Sequence, residues 1–315
     1  MTQQTQLDGI QVENKDGKAN IIMDMSMFDT FSLCPCRYNY RHNHNKGLPI
    51  EQKSKSLDMG GLAHEGLEQY FLGLKRGQSY SDRMHACLMK IRQVSSDPEV
   101  SNSDPDEVNR VLSAVEESCD YWRFEDEQLQ ILEVERAFAY ILYEDDFVRI
   151  IITGKIDLLV NKPALGLSAG YMNLPIDHKT FKRDTEVPDL SNQFMNYTSA
   201  VGSNYLIVNR IGLHDPDAKK PKPAEEKFKR VPISYDPFQL AEWKENIKNV
   251  ILDEYLQCLA TGRWNMRFTG CLAFNRKCDY YEICKTSGTE DKQRKLEDSF
   301  IPVSPWDVTS SFKKR

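Results

Sequence analysis

The sequence predicts an α/β fold with a mixed central sheet flanked by helices, and three observations carry that prediction. The first 125 residues are dominated by apolar positions at helical spacing. Two long runs rich in β-branched and aromatic residues follow, 129–142 (LQILEVERAFAYIL) and 147–161 (FVRIIITGKIDLLVN). Helical periodicity then returns at 237–261. Helices, then strands, then helices is the pattern of layers packed on one sheet.

Taken in order, residues 1–20 are polar and read as disordered. From Met25 to about His44 the chain reads as a helix, with Ser26 and Asp29 as start signals and an interruption near Pro35. Residues 57–77 place Leu62, Leu67, Tyr70, Phe71 and Leu74 at helical spacing. Two more helices are expected at 79–93 and 106–125, on either side of the turn-rich SSDPEVSNSDPDE. Together the helices of 57–125 are expected to form a cap. The two strand runs meet at YEDD, which predicts a hairpin, and a glycine-containing loop at 162–170 leads to a third strand, 171–180. A helix at 189–201, a strand at 204–211, a Lys/Pro-rich loop and the strand FKRVPISY complete the expected sheet core, 129–235. The reading is a single domain over 21–290, in which 237–290 is a C-terminal helix and cysteine-bearing region, and a mobile tail at 291–315.

Composition narrows the class. A chain of 315 residues that is 40% hydrophobic and 28% charged has ample material for one core with a helical insertion. No stretch reaches eighteen apolar residues, the length that spans a bilayer, so no membrane partner is expected. The polar N-terminus lacks the apolar run of a secretory signal, and a cytoplasmic protein is expected. A net charge of −6 argues against a basic exterior that coats nucleic acid, while leaving room for local positive charge along one groove. Disulfides are not expected in such a chain. Of eight cysteines, Cys87, Cys119 and Cys258 stand alone in helical patterns; Cys34, Cys36, Cys271, Cys278 and Cys284 gather at the two ends.

The sharpest local signal is Pro175-Ile176-Asp177-His178-Lys179. On a strand, residues i and i+2 share a face, so Asp177 and Lys179 emerge together and His178 points away, its side chain expected to be dispensable. A carboxylate that holds a divalent metal beside an ammonium that orients a water is what phosphodiester hydrolysis needs. Alone, such a triplet is ordinary charge alternation. Asp157 adds to it, because a carboxylate inside the apolar run IIITGKIDLLV is costly to bury unless paired or metal-bound. If the two strands are neighbours, Asp157 and Asp177 share one cation. Gly154 beside it suggests a bulge or a close backbone approach. Gln193 and Tyr197 fall at i and i+4 on one helix face. His64, after Gly60-Gly61, is either a metal ligand or an ordinary helix histidine. Glu135 either adds an outer carboxylate or faces solvent, and ranks below the others.

The order G-x-x-H, G-x-x-D, D-x-K, Q-x-x-x-Y resembles the RecB-like branch of the PD-(D/E)XK nucleases. The segment Ser32-Leu33-Cys34-Pro35-Cys36-Arg37-Tyr38 is similar to the N-terminal ligand segment of that branch's iron–sulfur members, and Cys271-x6-Cys278-x5-Cys284 to their C-terminal trio. Those members include CRISPR-associated adaptation exonucleases, the AddB nuclease domain and phage-borne relatives. Here the first gap in the trio is six residues, where the family often has two.

The resemblance implies a restriction-endonuclease-like core and a metal-dependent DNA nuclease, an exonuclease on single-stranded ends. It makes His64, Asp157 and Asp177 ligands of Mg²⁺ or Mn²⁺, with the backbone carbonyl of His178 completing the shell. Lys179 becomes the catalytic lysine, and Gln193 and Tyr197 flank the site. Cys34, Cys271, Cys278 and Cys284 become ligands of a [4Fe-4S] cluster, the Cys-Pro pattern favouring Cys34 over Cys36. Arg37, Arg41, Lys182 and Arg183 are candidate phosphate contacts on DNA, or solvated surface charges. Four thiolates taken without the resemblance suit zinc as well as iron–sulfur. A catalytically silent binding scaffold and a zinc-stabilised regulatory protein remain the alternative classes.

Overall fold

The structure, a computed structural model, describes residues 4–7, 10–15, 17–49, 55–97, 104–163, 171–183, 185–214 and 222–303. Its chain divides into two compact units, one of Met1–Lys53, Ala137–Gly154 and Pro237–Arg315, the other of Ser54–Arg136 and Lys155–Asp236. The division falls inside two strands of 15 and 16 residues, each long enough to serve both units. Among the described residues no helix is long and apolar enough to cross a membrane.

In the first unit, strands β1 (Gln4–Leu7), β2 (Ile10–Lys15) and β3 (Lys18–Asp24) run antiparallel in succession. For the described residues among 1–20, this corrects the disorder expected there. Composition registers the polarity of the segment but not its pairing. Residues Ala19–Asp24 of β3 lie parallel to Val148–Thr153, which satisfies the backbone, while Ile21 and Met23 are buried. Helix α1 (Met25–Leu33) starts at Asp24, whose carboxylate accepts from the Met27 N–H at 2.7 Å; the start signal is thus Asp24, not Ser26 or Asp29. Helix α2 (Pro35–Tyr38) opens on proline, which disfavours helical backbone at the residue before it. Cys34 is accordingly extended, with φ −165° and ψ 112°. A π-helical turn, Asn39–Asn43, leads to β4 (Lys46–Pro49).

The second unit holds α3 (Lys55–Lys75), α4 (Tyr80–Ser95), α5 (Pro105–Tyr121) and the short α6 (Arg123–Asp126). Ser79 caps α4, and Asp104 caps α5 with Pro105 in its first turn. Part of the turn-rich segment before α5, residues 98–103, lies outside the described residues. These helices pack on the sheet. Leu62, Leu67 and Phe71 of α3 and Val111 and Val115 of α5 share one buried cluster with Leu158, Val160, Leu174 and Ile176 of the sheet. Apolar stripes at helical spacing have to be covered, and the sheet covers them. At Gly66 a Cβ would stand 2.6 Å from Ile91 of α4, so the glycine allows α3 and α4 to approach closely.

Strands β5 (Gln130–Glu144) and β6 (Val148–Pro163) form the expected hairpin. In the second unit β6 continues antiparallel to β7 (Tyr171–Phe181), from Leu158–Ile176 to Pro163–Tyr171. The loop expected at 162–170 falls largely outside the described residues, as does much of the Lys/Pro-rich loop. Helix α7 (Asn192–Val201) ends at Gly202 in a left-handed conformation and carries the chain to β8 (Tyr205–Gly212), which lies parallel to β7. After α8 (Ala224–Lys227), β9 (Phe228–Ser234) runs antiparallel to β8. Parallel and antiparallel pairings in one core make the mixed sheet that the sequence predicts.

Back in the first unit, the helix expected over 237–261 is α9 (Pro237–Asn249), a π-helical stretch (Val250–Tyr255) and α10 (Leu256–Thr261). A 3₁₀ segment (Phe268–Asn275), α11 (Tyr281–Lys285), α12 (Thr289–Ser299) and β10 (Phe300–Pro302) follow. The mobile tail expected at 291–315 is corrected for its first part. Leu296 and Phe300 pack with Tyr280 and Ile283, and β10 pairs with β4. Residues 304–315 lie outside the described residues.

Candidate active site and cysteine centre

In the second unit, β6 and β7 are neighbours, as Asp157 and Asp177 require. Asp157 stands one step beyond the last ladder pair, Leu158–Ile176, and its Oδ2 accepts the His178 N–H at 2.7 Å. Asp177 and Lys179 share a face. Lys179 Nζ donates to Asp177 Oδ1 at 3.2 Å and to Gln193 Oε1 at 3.1 Å. Gln193 Nε2 in turn donates to Tyr197 Oη at 2.7 Å, so the helix pair that the sequence singled out braces the lysine. Gly154 shows no positive φ among the backbone exceptions; the strained residue lies instead on β5.

That residue is Glu135, with φ 52°, a left-handed conformation that costs a non-glycine residue about 1 kcal/mol. The kink interrupts the strand alternation. Its carboxylate pairs with Lys155 and belongs to the one compact group of potential metal donors among the described residues, His64, Glu135 and Asp157, whose ligand atoms lie within 4.8 Å of one another. Ranking Glu135 below the others assumed regular alternation, and no sequence signal marks the departure.

Helix α3 delivers His64. Its Nε2 donates to the His178 carbonyl at 2.9 Å, so in neutral imidazole the lone pair sits on Nδ1, 3.6 Å from Asp157 Oδ2. The His178 carbonyl, expected in the metal shell, is therefore engaged by His64. Two acceptors facing each other is an arrangement that a cation completes. The carboxylates give the same answer. Burial raises Asp157 and Asp177 above the usual carboxylate range, and the Asp157 charge raises Asp177 further. Asp177 Oδ2 is buried and accepts no hydrogen bond among the described residues, although Lys179 Nζ lies 3.0 Å away. Oxygen donors with one imidazole suit Mg²⁺ or Mn²⁺ in kind. The donor set fits a divalent ion.

The His178 ring, whose loss the sequence reading expects to leave most activity, is held on two sides. It is 3% exposed, stacks on Phe71 at 5.3 Å and 9°, and lies 3.0 Å from the Asn209 amide nitrogen. Pointing away from Asp177 places it in the core under α3, not in solvent. Among the candidate phosphate contacts of this unit, Lys182 lies 3.8 Å from Glu107, and Arg183 is exposed.

All five terminal cysteines belong to the first unit. Cys36 Sγ lies 4.0 Å from Cys284 Sγ, the Arg267 N–H points at Cys34 Sγ at 3.4 Å, and the Cys278 N–H donates to the Cys271 carbonyl at 2.8 Å. Burial raises the Cys271 and Cys278 thiols and the contact with Cys36 raises Cys284, and in each case Cys34 adds a smaller electrostatic push in the same direction. Cys36 moves the other way, to about 7, through its contact with Cys284. No three of these sulfurs lie within 4.8 Å of one another among the described residues. Cys87, Cys119 and Cys258 are buried elsewhere in helices. Arg37 reaches Asp279 at 3.4 Å, and Arg41 is exposed.

No curated protein matches this chain. A solved structure from Eubacterium rectale named "Putative exonuclease" is 12% identical, with 85% of this chain and 90% of that one covered and a TM-score of 0.46. The solved structure of SSO0001 is 14% identical, with 58% of this chain and 76% of that one covered and a TM-score of 0.30. A profile of the PD-(D/E)XK nuclease superfamily matches residues 25–285. That span runs from the first residue of α1 to the last of α11 and takes in the Asp177–Lys179 strand with its mixed sheet, so the chain belongs to the PD-(D/E)XK nuclease superfamily.

Proposed function

We propose that this chain is a divalent-metal-dependent deoxyribonuclease of the RecB-like branch, an exonuclease acting on single-stranded ends. The observation that carries the reading is Lys179, held between Asp177 and Gln193 on the strand beside the His64, Glu135 and Asp157 donors. His64, Glu135, Asp157 and Asp177 would hold Mg²⁺ or Mn²⁺. Such an ion supplies Lewis-acid polarisation of the phosphate and a bound water of lowered pKa. In the reaction a water oxygen bonds to phosphorus and the bond to the leaving sugar oxygen breaks. Lys179 orients the attacking oxygen and offsets the negative charge that develops on the phosphate. Gln193, itself fixed by Tyr197, holds the lysine in place. Arg37, Arg41, Lys182 and Arg183 are the proposed backbone contacts, giving affinity without sequence readout.

Cys34, Cys271, Cys278 and Cys284 are the proposed ligands of a structural [4Fe-4S] cluster, supported by their placement in one compact unit and by the electrostatic influence of Cys34 on the other three. Ligands from distant parts of the chain close a long loop, so binding free energy becomes folding free energy of that unit. Eight free thiols suit a cytoplasmic setting.

End-labelled single- and double-stranded DNA, digested with Mn²⁺, Mg²⁺ or EDTA, tests the reading. Expected is end-first shortening of single strands with either ion and none with EDTA. Cleavage that survives EDTA, or no cleavage with either ion, overturns it.

A further inference from the structure

His178 is the residue on which the site's parts meet. Beyond the Leu158–Ile176 pair, the β6–β7 ladder no longer holds its peptide. Instead the His178 N–H binds Asp157 Oδ2 at 2.7 Å, and its carbonyl receives His64 Nε2 at 2.9 Å. The two peptide groups that meet at the His178 Cα therefore join two proposed metal ligands, and a shift of that backbone moves both.

The ring of the same residue is gripped from two directions. Phe71 stacks on it at 5.3 Å with planes 9° apart, and Asn209, its parallel partner on β8, lies 3.0 Å from Nδ1. Phe71 follows His64 by seven residues, two turns along one face of α3. The helix thus takes hold of His178 twice, by its carbonyl and by its ring. Phe71 and Asn209 are each 2% exposed, so solvent does not compete for these contacts.

We infer that Asn209 and Phe71 are positioning residues for metal binding, acting through the His178 ring to fix the backbone at His178 that orients Asp157 and His64. The inference rests on the metal-dependent reading above. Groups that orient metal ligands commonly change affinity 10–100-fold when removed.

Isothermal titration of Mn²⁺ into the full-length protein tests it, with folding checked by circular dichroism at the titration temperature. Asn209→Leu keeps size and removes the hydrogen bond; Phe71→Leu keeps an apolar side chain and removes the stack. Each is expected to weaken Mn²⁺ binding roughly tenfold. Val115→Ala, a core truncation in α5 that removes none of the contacts made by His178, is expected to lower the melting temperature and leave Mn²⁺ affinity unchanged. Asp177→Asn separates the two readings, because it should lower Mn²⁺ affinity whether or not the positioning role holds. Wild-type affinity in both folded Asn209→Leu and Phe71→Leu, or an equal loss in Val115→Ala, overturns the positioning role alone. Failure of the wild type to bind Mn²⁺ overturns both readings.

Discussion

Lys179 is held by two acceptors and lies over the Phe194 ring, at 6.0 Å from its centroid, so its ammonium is aimed before any substrate arrives. Lys179→Met keeps the aliphatic stem and removes the charge. Cleavage is expected to fall on the order of 10²–10³-fold, the usual cost of one charge-stabilising group, with an unchanged melting temperature. Wild-type turnover in the folded variant would reject the assignment. Glu135 poses the opposite trade. Its φ of 52° is unfavourable for glutamate, and burial raises its carboxyl, so the residue is held against local preference. Asparagine tolerates that backbone. Glu135→Asn is therefore expected to match or exceed wild-type stability, by up to about 1 kcal/mol, while Mn²⁺-dependent cleavage drops. A lower melting temperature with full activity would show that Glu135 serves the fold.

At the scale of elements, the break between α1 and α2 decides which thiols meet. On an unbroken helix Cys34 and Cys36 would point well apart, which would separate ligand from bystander. Pro35 makes Cys34 extended, and both sulfurs face the C-terminal cysteines. Helix spacing no longer discriminates between them; the Cys-Pro pattern does. Anaerobically purified protein is expected to be brown. Cys34→Ser should lose iron and visible absorption, and Cys36→Ser should keep both. Iron analysis showing the reverse would transfer the ligand role to Cys36, and a colourless, zinc-rich wild type would reject the cluster. The helices over 57–125 carry a related lesson. Their stripes were legible, but an apolar stripe does not say what covers it, and here the sheet does.

For the molecule as a whole, acid–base behaviour follows from burial. Asp126 is buried beside Arg230, whose Nη2 lies 2.5 Å from its Oδ1, yet burial outweighs the pairing and raises its carboxyl to about 6. A folded value above the unfolded one, near 4, means that protonation favours the fold. This contribution is complete below pH 4 and is lost as pH rises through 6, on the order of 2–3 kcal/mol in all. Denaturant unfolding across pH 4–7 is expected to show wild type losing stability relative to Asp126→Asn over that window. Parallel curves for the two proteins would mean that Asp126 titrates normally.

Sequence alone settled the α/β class, the shared face of Asp177 and Lys179, and the Gln193–Tyr197 pair; that the strands of Asp157 and Asp177 are neighbours came from the structure. What was settled follows from the period of two or four along each element, and local geometry enforces such periods. Three further features were decided only by tertiary structure. Strands β1–β3 form from polar sequence because part of β6 supplies a pairing edge for β3. Glu135 enters the site through a kink that alternation cannot express, since the kink is paid for by contacts across strands. His178, correctly placed on the opposite face from Asp177, became a buried joint because Phe71 and Asn209 meet it there. Periodicity fixes which way a side chain points, and only packing between elements fixes what it meets.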